Sequence, residues 1–219
     1  MTFSLRTLLL VLTALGLWLG WMADRSRRQS RAIAGIERLG GRIWYDFQYS
    51  NGRLDTKREP GLPEWLWPIF GKGRVEYVDF TFAPVQDKDL EELPRLLADL
   101  PKFRGLSFDR SRVGDATVQR LAGLVNFQAL NLDGTRVTDL AIPAILAMED
   151  VEAVSLVFAD GISAAGLAQL QAHPRLSDIS WNTHRPNAVA DWDIYNRLLE
   201  HLYVRAGKPF PPTMSDALP

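Results

Sequence analysis

Between residues 75 and 182 the chain repeats one pattern of apolar positions, apolar-x-x-apolar-x-apolar, five times. The triplets are Val75/Val78/Phe80, Phe103/Leu106/Phe108, Phe127/Leu130/Leu132, Val151/Val154/Leu156 and Leu176/Ile179/Trp181. Their first positions step by 28, 24, 24 and 25 residues, so FRGLSFDRSRVGD at 103–115 and FQALNLDGTRVTD at 127–139 are near copies. A second set follows in the first four units: Val85, Val113, Val137 and Ile162, then Leu90, Val118, Ile142 and Leu167, then Leu93, Leu121, Ile145 and Leu170. Alternation within each triplet predicts a short strand with two side chains turned inward. Apolar residues three and four apart predict a helix face after it. Asp115 and Asp139 stand where those helices should begin, placed to cap free N–H groups at the positive end of the helix dipole. One strand and one helix cannot enclose a core, but stacked copies can.

The pattern resembles the leucine-rich repeat family, in its ribonuclease-inhibitor-like class with a helix in every unit, over about residues 75–182. The resemblance implies an α/β fold: a short solenoid with parallel strands on a concave face and helices on the convex one. The chain departs from the family at the ninth position of the unit, usually Asn or Cys. It carries Ala83, Ser111, Thr135 and Ala159 there, and looser turns are expected at the two alanines, which cannot bond the backbone through a side chain. Together with an N-terminal anchor, the repeats also look like bacterial membrane-anchored repeat proteins, a likeness that implies no particular chemistry.

So short an array needs covered ends. RIWYDFQY at 42–49 alternates and predicts a strand, Asn51–Gly52 a turn, and LPEWLWPIF at 62–70 a short helix. Trp65, Trp67, Ile69 and Phe70 are expected to cover the first unit. AVADWDIYNRLLEHLYVRAG at 188–207 predicts a closing helix, with Trp192, Tyr195, Leu198, Leu199 and Leu202 on one face and Gly207 at its end. Residues 208–219 hold too little apolar surface to order themselves and are expected to form a flexible tail.

The N-terminus follows another pattern. Residues 7–23, TLLLVLTALGLWLGWMA, carry no charge, and a helix over residues 5–23 spans about 28 Å, close to a bilayer core. Trp18 and Trp21 sit where an interfacial belt would place them. A cleaved signal would put Trp21 three residues before a cut after Ala23, where a small residue is wanted, so an uncleaved span is the better reading. Ala32, Ile33, Ile36 and Leu39 mark an apolar face on a helical stalk that Gly40–Gly41 should stop. The expected organisation is a transmembrane anchor at 1–24, a basic juxtamembrane helix at 25–41, an N-terminal cap at 42–74, repeats at 75–182, a C-terminal capping helix at 183–207 and the tail.

Charge sharpens this division. The 219 residues have net charge -1, yet residues 1–42 hold seven arginines against Asp24 and Glu37, and the body is correspondingly acidic. Arg25, Arg27, Arg28 and Arg31 after the apolar run favour a single-pass protein of the cell membrane with its body in the cytoplasm. An acidic body argues against nucleic acid. The absence of cysteine excludes disulfides, thiolate metal sites and a thiol nucleophile.

Catalytic chemistry has little footing. His173, His184 and His201 lack a second metal ligand at helical spacing and read as surface residues. GKG at 71–73 lacks the other positions of a phosphate loop. Serines such as Ser107 and Ser155 have no histidine in register. The expectation is no enzyme, no cofactor, no metal and no small-molecule substrate. What remains is the outward face of the strands. Its middle column is Asp79, Ser107, Asn131, Ser155 and Ser180. The flanking columns are Thr81, Asp109, Asp133, Val157 and Asn182, and Tyr77, Gly105, Ala129, Ala153 and Asp178. This small, acidic face is read as a binding surface for a basic protein partner, carried by Asp79, Ser107, Asp109, Asn131, Asp133, Ser155, Asp178 and Ser180. Asp109 and Asp133 are expected to face solvent without a structural role. The alternatives are a structural envelope or assembly component without a discrete ligand, and an enzyme with an unrecognised hydrolytic site.

Overall fold

The structure, a computed structural model, describes residues 5–50, 53–124, 126–182 and 188–208. The turn expected at Asn51–Gly52, His184, most of the expected tail and the Trp192 side chain lie outside what it describes. A single helix α1 runs from Leu5 to Arg38 and ends at Gly40, whose φ of 88° only glycine adopts readily. It leads into β1 (Arg42–Tyr45), the hairpin strands β2 (Tyr49–Ser50) and β3 (Arg53–Leu54), and a short helix α2 (Trp67–Phe70). The order then alternates: β4 (Val75–Asp79), α3 (Leu93–Ala98), β5 (Gly105–Ser107), α4 (Asp115–Leu121), β6 (Ala129–Asn131), α5 (Ile142–Leu146), β7 (Ala153–Val157), α6 (Ala164–Gln169), β8 (Asp178–Asn182) and α7 (Ala188–Ala206).

The fold is α/β. One six-stranded sheet runs β1-β4-β5-β6-β7-β8, parallel throughout except for β1, which pairs antiparallel with β4. The five expected strands are present and their register is the one the apolar spacing requires. Val78 pairs with Leu106, Leu106 with Leu130, Leu130 with Val154 and Val154 with Ile179. Because successive strand residues face opposite sides, this buried row leaves the rows through Tyr77 and Asp79 on the other face. The core lies between sheet and helices and contains nearly every apolar position of the repeated pattern, with Phe80 stacked on Phe108 and Phe103 on Phe127.

Both ends are closed by helices, though not as expected at the first. The stalk is packed rather than free: Ala32 and Ile36 are buried, and Gly35 sits so close to Leu96 that a Cβ there would lie 2.7 Å from its side chain. Helix α1 thus covers the first unit. The aromatic segment at 62–70 does not: Trp65 is 74% exposed and Phe70 39%, and no residue of α2 is buried. At the other end Leu198, Leu199 and Leu202 of α7 are buried, and Arg205 donates to the carbonyls of His173 and Leu176.

His173 corrects the expectation of a surface residue. It is fully buried, its Nδ1 accepts from the N–H groups of Arg175 and Leu176, and its Nε2 lies 3.0 Å from the Met148 carbonyl. Two donors aimed at Nδ1 leave the proton on Nε2, which donates to Met148. Burial first, and Arg205 second, push the imidazole pKa below its usual value, against the opposing bond to Met148.

The helix-start acids also do something other than cap their own helices. The Asp115 carboxylate accepts from Thr138 N–H and hydroxyl, both at 2.7 Å, and Asp139 accepts from Ser163 N–H and hydroxyl at 2.8 and 2.6 Å. Asp87 accepts from Gly114 N–H, Thr117 N–H and the Thr117 hydroxyl. Each acid ties its unit to the helix start of the next. The hydroxyls of Thr138 and Ser163, held in this way, cap their own helices. Gly166 is required by this arrangement, since a Cβ there would lie 2.1 Å from an Asp139 oxygen.

Candidate functional site

The outward columns expected from the sequence are true register neighbours. Asp79, Ser107, Asn131, Ser155 and Ser180 form one row of paired residues, and Tyr77, Gly105, Ala129, Ala153 and Asp178 another. The Tyr77 ring lies over Gly105, where a Cβ would come within 2.6 Å of it. The row beyond Gly105 continues with the small Ala129 and Ala153, and its bulk is gathered at Tyr77 and the Trp44 paired with it.

Much of its polarity is already engaged. Asp79, Ser107 and Asn131 each accept the N–H two residues on, from Thr81 at 2.8 Å, Asp109 at 3.4 Å and Asp133 at 2.8 Å. A short polar side chain at this position closes the strand by an Asx- or Ser-type turn. Asp79 also accepts from Trp44 Nε1, which fastens β1 to the sheet. Asp133 is the clearest correction. It is half-buried, and its Oδ1 accepts from the Ser155 hydroxyl at 2.6 Å and from Val157 N–H at 2.7 Å, doing for β7 what Asn131 does for β6. It is not a free surface charge.

Asp109 stands apart. Among the described residues its carboxylate has one counter-ion, the Arg110 guanidinium at 3.9 Å, and no hydrogen-bond donor. Burial, with Asp133 and Asp79 nearby, holds its pKa above the ordinary carboxylate range, although Arg110 opposes this. Asp178 and Ser180 at the far end of the face are exposed.

Next to these columns lies a row that the sequence reading missed. Phe82, Arg110, Gly134 and Phe158 occupy the same place in four units, and all have positive φ: 57°, 53°, 59° and 61°. The backbone turns left-handed there so that the next N–H can reach back to the strand. Ala83 N–H reaches Phe80, Ser111 reaches Phe108, Thr135 reaches Leu132 and Ala159 reaches Leu156. These bonds form at the two alanines as at the other residues, so main chain serves the turn and the alanine turns are not looser. Only Gly134 suits the conformation intrinsically. Phe82 is 63% exposed with Arg110 stacked 5.2 Å over its ring, and Phe158 is 37% exposed. The glycine at 134 was the available signal: it marks a left-handed position whose equivalents carry bulky side chains.

No group of acids and histidines that could hold a metal ion occurs among the described residues. No family model matches the chain, and no curated protein matches it. Among solved structures the chain is similar to "Leiomodin-1 Actin-Binding Site 2 (ABS2)", with 12% identity and a TM-score of 0.47 over 59% of this chain and 82% of that one, a likeness too distant to carry an argument.

Proposed function

We propose that the chain is a short leucine-rich repeat solenoid, anchored in the cell membrane by α1, that binds a basic protein partner through its strand face without catalysis. The repeat reading is supported by the recurrence, every 24 to 28 residues, of apolar positions in one core and of left-handed positions that make the same main-chain bond in four units. The anchor reading is supported by α1, which near the N-terminus is long and apolar enough to cross a membrane and whose leucines there are exposed. The arginines following the apolar run favour a cytoplasmic body.

One observation carries the binding proposal: the row Phe82, Arg110 and Phe158 holds bulky side chains on left-handed backbone beside the acidic Asp109. Such strain, about 1 kcal/mol or more per residue, is concentrated at functional surfaces. Exposed aromatic and arginine side chains supply anchoring area, and Asp109, weakly paired with the neighbouring Arg110 at 3.9 Å, supplies negative charge for a partner lysine or arginine. The test is charge reversal at acids that tie no neighbouring strand. Asp109→Lys with Asp178→Lys should leave the urea midpoint near wild type and reduce capture of the partner, by a slower on-rate that loses its salt dependence. Undiminished capture would contradict the proposal.

A further inference from the structure

The exposed aromatic segment at 62–70 has no role in covering the repeats, and its position along α1 suggests another. The Ser26 hydroxyl donates to the Trp67 carbonyl at 3.0 Å, and Gln29 Nε2 donates to the Gly73 carbonyl at 3.1 Å. These bonds fix residues 67–73 beside the turn at 26–29. Ser26 lies four residues beyond Met22, about 6 Å along the helix axis. A headgroup layer is roughly 5–7 Å deep beyond the hydrocarbon core. If α1 spans a bilayer to about Met22, the segment therefore stands in that layer. Its exposed side chains suit the place: Leu62 is 42% exposed, Trp65 74% and Phe70 39%, and Leu62 and Phe70 line one cleft with the exposed Trp21 of α1. Between the segment and α1 opens a cleft of about 560 Å³. Arg25, Arg74 and Lys102 line it and no carboxylate does, although Lys102 also meets Asp150 at 2.6 Å. Its apolar lining is Trp21, Met22, Leu62 and Ile69, and the Arg25 guanidinium lies over the Trp21 ring, 5.6 Å from its centre.

We infer that residues 62–73 form a second membrane contact, in which Leu62, Trp65 and Phe70 enter the interface and the cleft holds the phosphate of an anionic phospholipid against Arg25 and Arg74. This rests on the reading of α1 as a membrane span. Two contacts instead of one fix the tilt of the strand face relative to the bilayer, so that a lone spanning helix no longer lets the body swing.

The chain has no cysteine, so single cysteines report single positions. Full-length protein is placed in nanodiscs of phosphatidylcholine alone or mixed with phosphatidylglycerol. Spin labels are attached at Leu12→Cys, Gly61→Cys or Val204→Cys. A Cβ at Gly61 meets nothing within 4 Å, and Val204 is 75% exposed on α7. Depth is read from the accessibility of each label to oxygen and to a water-soluble nickel complex. The expected result is position 12 deep, position 61 at headgroup depth in the anionic discs and position 204 in water. In neutral discs, or with Arg25→Gln and Arg74→Gln in anionic ones, nickel accessibility at 61 should rise several-fold toward that at 204. A label at 61 that stays in water while position 12 is deep overturns the second contact and leaves the span standing. Equal depth at 61 in both lipid compositions overturns the anionic-lipid site. A label at 12 in water overturns the span itself.

Discussion

Phe82 and His173 each sit in an environment that makes a measurable demand. Phe82 holds φ at 57°, a conformation that costs a residue with a Cβ about 1 kcal/mol or more relative to glycine. Phe82→Gly should therefore be more stable than Phe82→Ala by about 1 kcal/mol, read from urea midpoints, since both lose the ring and only one keeps a Cβ. Equal midpoints would show that the turn is not left-handed in solution. His173 is neutral in the folded chain because two N–H groups face Nδ1 and burial lowers its pKa from the usual 6.5. As pH falls through about 6.5 the unfolded chain takes up a proton that the folded chain refuses. Stability from this site is thus present above the unfolded value and lost as pH falls toward the lower folded one. Between about pH 7.5 and about pH 5.5, wild type should lose stability, and His173→Gln should lose less of it over the same range.

The strand–helix unit is the element that the sequence reveals best. Every apolar position in it reports on one shared core, so the period of about 24 residues fixed strand, helix and register together. Leu132 illustrates this: it is fully buried, and Leu132→Ala should cost about 2–5 kcal/mol of unfolding free energy in urea melts. An unchanged midpoint would mean that the register is wrong. Polar positions were harder to read, because one residue type serves two ends. Asp109 and Asp133 occupy equivalent places, but only Asp133 meets a hydroxyl and an N–H from the next unit, a pairing set by Ser155 across the sheet. Asp115 and Asp139 look like caps along the chain and are ties between units in space. His173 gave no sign of its burial, since its partners are backbone groups that leave no trace in sequence. The cap at 62–70 was misread for a similar reason. Its tryptophans promised burial, but α1 had already taken the surface they would have covered.

At the scale of the molecule, the two ends of the chain set up the middle. Helix α1 closes the first unit with its C-terminal half and leaves exposed an N-terminal half long and apolar enough to cross a membrane, while α7 closes the last. The strand face lies between them, with Ser180, Phe82, Arg110 and Phe158 exposed and Asp109 half-buried. The account's central claim is that a partner protein meets this face and not the helical one. The most direct measurement is site-specific photocrosslinking in native membranes, with a photoreactive residue at Val157 or Ser180 on the strand face and at Gln119 or Gln169 on the exposed helical side. The account predicts one discrete higher-mass adduct from positions 157 and 180, lost when Phe82 and Phe158 are both changed to Gly, and none from 119 or 169. An adduct formed from 119 or 169 and not from 157 or 180 would contradict it.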